Sequence, residues 1–140
     1  MSSVSNAVVE AVMDMVDSLS NYAVITRGAL GTGNGLTCEV ATSSVDGVFL
    51  DKNQYIFLDL TFNGKHRNLE TLSDTLNNIM DSLTLRKEYP TGDGWEIVDI
   101  SRGAPPLPTI IGREEQNEWI MACAVIVKYY QNSELSASDE

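Results

Sequence analysis

The sequence predicts an α+β fold: a mixed, mainly antiparallel β-sheet with two helices packed on one face. Two segments repeat apolar residues at helical spacing, and several others alternate or run continuously apolar as strands do. These segments follow the order helix, strands, helix, strands, without internal repeats or a dividing linker. With 140 residues the chain has the size of one domain. We therefore expect a single α+β domain over residues 1–131 and a polar, flexible C-terminal tail over residues 132–140.

The first third begins with an amphipathic segment from Val4 to Leu19, which predicts a helix with Ser3 or Ser5 as its cap. A short β-branched and aromatic stretch then predicts a strand over Tyr22–Thr26. The glycine-rich segment 28–35 predicts a loop, and the alternation after it predicts a strand over Leu36–Ala41.

The middle third holds the clearest signals. Asp46-Gly47 predicts a turn, with a brief strand piece at 48–50 behind it. Alternation over Tyr55–Phe62 predicts a strand with Ile56, Leu58 and Leu60 on one face, and Asn63-Gly64 predicts a turn after it. The leucine stripe from Leu69 to Leu83 predicts the second helix, capped by Asn68.

The last third predicts a hairpin of two long strands with a long proline-rich loop. Trp95–Ser101 forms the first strand, and three prolines within residues 104–108 hold an extended path. The acidic segment 114–118 leads into the second strand, Trp119–Gln131. This strand is apolar on both faces until Lys128, which is typical of a central strand.

Composition excludes several function classes. The net charge is −11, from 20 acidic and 9 basic residues, and such a surface repels nucleic acid and anionic lipid. The longest apolar stretch, Trp119–Val127, is less than half of the roughly 20 residues that a membrane span needs. The N-terminus lacks the pattern of a signal peptide. We expect a protein made in the cytoplasm, with no membrane partner and no sequence-specific contact with DNA.

No catalytic, cofactor or metal signature is present. Gly28 and Gly33 have the spacing of a phosphate loop, but Asn34-Gly35 stands where Lys-Ser/Thr is needed and a strand follows. The single histidine, His66, lies between cations at a turn, and Cys38 and Cys123 have the apolar surroundings of buried thiols. Spacing for metal ligands is missing. We expect no enzyme, no cofactor and no metal.

The informative features are those of an assembling subunit. Tyr55, Phe57 and Asp59 share the strand face that points away from the core, so they are candidates for a partner interface. The stiff segment Pro105, Pro106, Leu107 and Pro108 is the second candidate, because an ordered loop loses little entropy on binding.

Five segments within residues 50–131 form a combined pattern: the helix Leu72–Leu83, the segment Tyr89–Ile97, the prolines 105–108, Ile111–Glu115, and the strand from Trp119 to Tyr130. This pattern resembles the tail-terminator, or tail-completion, proteins of long-tailed bacteriophages, which are often called phage minor capsid proteins. The N-terminal helix is similar only loosely. These are patterns of hydrophobicity, turns and aromatic residues rather than a catalytic signature.

The resemblance implies a virion protein that forms a homo-hexameric ring at the head-proximal end of the tail tube. Such a ring stops tube polymerisation and enables head–tail joining; its partners are the tail tube protein and the head-completion or neck connector protein. Genomic DNA passes through the lumen without sequence-specific binding. Three alternatives stay open: another neck or tube subunit, a cytoplasmic small-molecule-binding α+β protein, and an acid–base enzyme using Asp59 with a tyrosine.

Overall fold

The computed structural model describes residues 3–48, 54–113 and 117–131. In this part of the chain two helices lie on one face of a mixed, mostly antiparallel sheet of seven strands, which confirms the predicted α+β class. The elements are α1 (Val4–Asp17), β1 (Ile25–Arg27), β2 (Gly35–Val48), β3 (Gln54–His66), α2 (Leu69–Thr84), β4 (Thr91–Gly92), β5 (Trp95–Arg102), β6 (Thr109–Arg113) and β7 (Trp119–Gln131).

The strand order across the sheet is β1-β2-β3-β7-β5-β4, and β6 lies beside β5 on the same edge of β7. All neighbours are antiparallel except β1 and β2. The central pair is β3 with β7, which keeps one register from Gln54 opposite Gln131 to His66 opposite Trp119. The predicted strand Trp119–Gln131 is thereby confirmed as a central strand.

Both helices begin where the sequence predicts. The Ser3 side chain accepts a hydrogen bond from the Asn6 amide at the start of α1, and Asn68 accepts one from the Thr71 amide at the start of α2. The buried stripe of α2 packs on β3, β5 and β7, while α1 packs on β1, β5 and α2. The core lies between these helices and the sheet.

The predicted turn at Asn63-Gly64 is wrong, because β3 continues through it to His66. Gly64 is buried, and a Cβ atom at this position would lie 2.6 Å from Cδ1 of Leu72 and 3.3 Å from Cδ2 of Leu36. The glycine therefore serves close helix–sheet packing rather than chain reversal.

Two further boundaries differ from the prediction. The first strand begins at Ile25 rather than Tyr22; Tyr22 instead donates a hydrogen bond to the Gly35 carbonyl. The predicted turn at Asp46-Gly47 is also wrong, since β2 extends to Val48 with a register shift after Asp46. The chain reversal that follows, with the predicted strand residues 49–50, lies outside the described residues, as does the tail 132–140.

The C-terminal hairpin is confirmed as β5 and β7, and its long connection contains β6, a strand that the sequence analysis did not predict. β5 and β6 both run antiparallel to β7 along the same edge, and the segment 103–108 separates them. We call this segment the proline bulge, because it interrupts a strand edge rather than closing the hairpin. The Ala104–Pro105 peptide bond is cis.

Both cysteines are free and buried, as the sequence predicts. Burial raises the pKa of each thiol to about 12, because the apolar surroundings disfavour the thiolate. Cys38 and Cys123 are therefore small apolar core residues, neutral at physiological pH.

Replacing Gly64 by alanine should lower the free energy of unfolding by about 1–3 kcal/mol, because the new methyl group meets the buried Leu72 side chain. Gly31→Ala is the matched control: no atom lies within 4 Å of its Cβ position, so its effect should stay within about 0.5 kcal/mol. Chemical denaturation of both variants measures the difference. Equal stability of the two variants would contradict the close-packing role.

Alkaline pH should weaken the fold through the two thiols. Their pKa is about 12 in the folded chain and 9.0 for an unperturbed thiol, so above pH 9 the unfolded chain loses protons that the folded chain retains. The free energy of unfolding should fall as pH rises from 9 towards 12, and it should fall less steeply for Cys38→Ala/Cys123→Ala. Denaturant titrations at a series of pH values give both slopes; identical slopes would refute the assignment.

Candidate interaction surface

The face of the sheet opposite the helices carries the first predicted patch. Tyr55, Phe57 and Asp59 all project from this helix-free face of β3, whereas Leu58 and Leu60, between and beyond them, are buried in the core. All three are half-buried in the isolated chain. The alternation in the sequence thus placed these side chains on the correct face.

A lysine that the sequence analysis did not select lies over the aromatic side chains. Lys128 of β7 is directly opposite Phe57 in the register, and its Nζ lies 4.6 Å from the ring centroid of Tyr55 and 5.6 Å from that of Phe57. Tyr130 contacts Tyr55 edge-to-face at 5.4 Å. This aromatic–cation cluster is held by dispersion and cation–π attraction. The β3–β7 register brings these side chains together, and local sequence patterns do not reveal that register.

Asp59 lies beside a shallow depression of about 400 Å³. Its carboxylate accepts a hydrogen bond from the Thr42 hydroxyl on the neighbouring strand β2. Gly103 and Ala104, at the start of the proline bulge, line the opposite side of the same depression. The depression therefore lies between Asp59 of the first predicted patch and Ala104, the residue that precedes the second.

The proline bulge is fixed to its surroundings at several points. The Gly103 amide donates to the Ala124 carbonyl at 2.8 Å, and the Ala124 amide donates to the Pro105 carbonyl at 2.9 Å. Arg102 donates from Nη1 to the Pro106 carbonyl at 2.9 Å and from Nη2 to the Asp81 carboxylate of α2 at 2.8 Å. The bulge is thus ordered in the free subunit, while Pro106 and Leu107 remain exposed.

The strand after the bulge adds residues that the sequence analysis missed. Ile110 and Ile111 of β6 are 48% and 58% exposed, and Leu107 beside them is 57% exposed. The β-branched run Thr109-Ile110-Ile111 was the signal for this strand, but the neighbouring prolines masked it. Exposed apolar side chains this close together are typical of an interaction site.

The glycine-rich segment has a structural role in the described chain. The Lys65 ammonium, which is buried, donates to the Gly31 carbonyl, and Tyr22 donates to the Gly35 carbonyl. Strand β2 follows the segment, whereas a phosphate-binding loop leads into a helix.

The histidine His66 is held by local contacts. It accepts a hydrogen bond from the Asn68 amide through Nδ1 and packs edge-to-face on Tyr22.

Within the described ranges, no group of three or more His, Cys, Asp or Glu side chains is arranged to hold a metal ion. No helix in that part of the chain has the length and apolar character needed to cross a membrane.

Comparison with solved structures finds a chain from the virion of a native gene transfer agent particle. It superposes with a TM-score of 0.64 at 11% sequence identity, and the match covers 93% of this chain and 99% of that chain. No protein-family model and no curated protein matches the sequence. At this identity the likeness shows a shared fold, and it extends over nearly the whole of both chains.

Replacing Arg102 by alanine should loosen the proline bulge without unfolding the protein. The Arg102–Asp81 pair is partly exposed, so its loss should cost about 1 kcal/mol or less. The amides of Gly103 and Ala124, which hold the bulge, should exchange hydrogen faster. Arg86→Ala, which removes an exposed arginine elsewhere, is the control. Unchanged hydrogen exchange in Arg102→Ala would show that the two backbone hydrogen bonds are sufficient to order the bulge without Arg102.

Proposed function

We propose that this protein is a structural subunit of a phage-like virion, and specifically the tail terminator. In this role it forms a ring at the head-proximal end of the tail tube. In the family that the sequence resembles, the ring has six subunits. The ring stops tube polymerisation and offers a surface to the neck connector during head–tail joining. The subunit is made and assembled in the host cytoplasm and ends up in the tail or neck region of the virion.

The near-complete structural overlap with a virion chain carries this proposal. The match spans 93% of this chain and 99% of the other, so the whole subunit corresponds and not one supersecondary motif. The sequence resemblance to tail terminators, which covers residues 50–131, supports the same role independently. Fold alone does not determine function, so the position of the protein in a particle is the property to test.

The charge of the chain suits a conduit for DNA. Each lysine or arginine contact with a phosphate adds affinity by releasing counterions, so a basic lumen would hold the genome back. With a net charge of −11 per subunit, a ring carries a large excess of negative charge, which disfavours adhesion of passing DNA. Genomic DNA can then traverse the lumen without sequence-specific binding.

The side chains support an assembling role more than a catalytic one. Asp59 lines a depression next to the ordered, exposed bulge, and the aromatic residues lie further along the same helix-free face. This arrangement offers rigid contact surface, and neither a cofactor nor a metal is needed for it. Tyr55, Phe57, Asp59 and the exposed residues of the proline bulge are our candidates for contacts with neighbouring subunits of the ring, with the tube or with the neck connector.

An amber mutation in the coding gene tests the role. We expect filled heads beside overlong or unjoined tails in electron micrographs of the lysate, because nothing stops the tube or joins it to the head. Wild-type protein supplied in trans should restore complete particles. Empty, leaking heads would instead assign the protein to the neck, and normal particles would contradict a virion role altogether.

Cryo-electron microscopy of complete particles locates the subunit directly. We expect a single ring of density for this fold between the tail tube and the neck. A repeat along the entire tube would identify a tube subunit and would overturn the terminator assignment.

A further inference from the structure

Two opposite edges of the sheet end in strands whose backbone is unpaired within the described chain. On one side β1 covers only Leu36–Cys38, so the outer edge of β2 from Glu39 onward has no neighbouring strand. On the other side β6 and the part of β5 from Val98 onward are outermost, since β4 pairs with Trp95 and Glu96 and the Ile97 amide donates to the Pro90 carbonyl. Unpaired edges attract further strands unless lysine, proline or charge protects them. Residues 40–45 and 109–112 contain none of these.

The exposed apolar side chains concentrate on the same two edges. Eight large apolar residues are exposed in the described chain, and seven of them lie there. Val24, Val40 and Val45 lie along the β1–β2 edge, and Val98, Leu107, Ile110 and Ile111 lie along the β5–β6 edge. Leu85 is the exception. Exposed apolar residues that cluster are typical of interaction sites, so both edges are candidates for contact in an assembly.

The two sets of residues lie at corresponding positions along the strand direction. Two residues are called level when the strand register connects them across the sheet. Through the strand register, Ile25 of β1 is level with Ile110 of β6, by way of Leu36, Gly64 and Met121. In the same way Val45 of β2 is level with Ile97 of β5, by way of Ile56 and Tyr129. Continuing the sheet into a second copy therefore places the backbone of Val24 one residue from the level of Ile110, and the backbone of Val98 one residue from the level of Val45.

Strand direction favours the same arrangement. β2 is antiparallel to β3, β3 to β7, and β7 to β5 and β6, so β2 runs opposite to β5 and β6. A copy placed beside the first with its strands running in the same sense, and turned only by the rotation that a closed ring requires, continues the sheet with antiparallel pairing. That pairing satisfies the free backbone groups of both edges.

A groove of about 520 Å³ at the β1–β2 edge can receive side chains of the neighbour. It lies between the start of α1 and strands β2 and β3, and Val4, Val9, Val40, Val45 and Ile56 give it an apolar lining. Val40 is level with Arg102, the last residue before the proline bulge. The exposed Leu107 of a second copy is therefore the side chain that we assign to this groove.

Charge makes a second copy an acceptable partner at these edges. The chain has 20 acidic residues, yet the segments 24–27, 40–45 and 100–113 contain none and carry only arginine as charge. Two copies with a net charge of −11 repel one another over most approaches. Contact through these carboxylate-free segments avoids that repulsion between β1 and β6, whereas at the other end of the contact Val45 and Val98 are followed in the sequence by Asp46 and Asp99.

We propose that the β1–β2 edge of one copy binds the β5–β6 edge of the next, with the proline bulge seated in the groove beside α1. The contact joins two different patches, so it propagates head to tail and closes into a ring where the rotation allows it. This inference rests on the proposed function, because it supplies the subunit contact of the ring.

Cysteine cross-linking tests the contact in purified protein at high concentration and in purified particles. Val24→Cys/Ile110→Cys and Val45→Cys/Val98→Cys each place one thiol on either edge, and a short bis-maleimide should convert them into a ladder of oligomers. Val24→Cys/Leu85→Cys is the matched control and should give no ladder, since Leu85 lies on neither edge. The native thiols are buried and stay unmodified. Absence of a ladder from both samples would overturn the edge contact.

A mixing experiment tests whether the contact is head to tail. Val45→Lys disables one edge and Ile111→Lys disables the other, so neither variant alone should form the oligomers of the wild-type protein. Their mixture retains one intact edge of each kind and should give a dimer and nothing larger by sedimentation. Leu85→Lys should assemble as the wild-type protein does. Self-association of either edge variant at wild-type strength would refute the proposal.

The two proposals fail in distinguishable ways. A ladder in purified protein, together with the absence of the protein from the head–tail junction, would retain the edge contact and reject the terminator role. The protein at the junction without any ladder would retain the role and reject the contact.

Discussion

The pairing of β3 with β7 fixes the position of every other strand in the sheet. The two strands keep a single register over thirteen residue pairs, without a bulge or shift. β2 attaches to the outer side of β3, and β5 and β6 attach to the outer side of β7. The helices cover one face of this central pair, so the aromatic–cation cluster is confined to the other. The same register also determines which residues of the two lateral edges lie level with one another along the strand direction.

Much of this arrangement could be predicted from local sequence patterns. The stripe of α2 and its Asn68 cap gave the helix nearly to the residue, because helical spacing and capping are local properties. The apolar run 119–131 gave β7 with both ends correct. Alternation also placed Tyr55, Phe57 and Asp59 on the face away from the core.

The remaining features depend on contacts that are distant in the sequence. Asn63-Gly64 has the composition of a turn, but Gly64 lies within a strand. The absence of a side chain there lets Leu72 pack directly on the strand backbone. Lys128 joins the aromatic cluster only through its register with Phe57. Residues Thr109–Arg113 form strand β6 because β7 provides a free edge beside them, and the prolines that precede this segment in the sequence had favoured a loop. Asp59 and Ala104 likewise come close only because β3 and β5 both pair with β7.

The proline bulge separates two strands that share one edge of β7. Because β5 and β6 are each held by their own hydrogen bonds to β7, the length of the chain between them is not constrained by either register. Residues can be gained or lost there during evolution while the core stays the same. A short insertion or deletion there would change the exposed surface of the subunit and leave the strand pairing of the core intact.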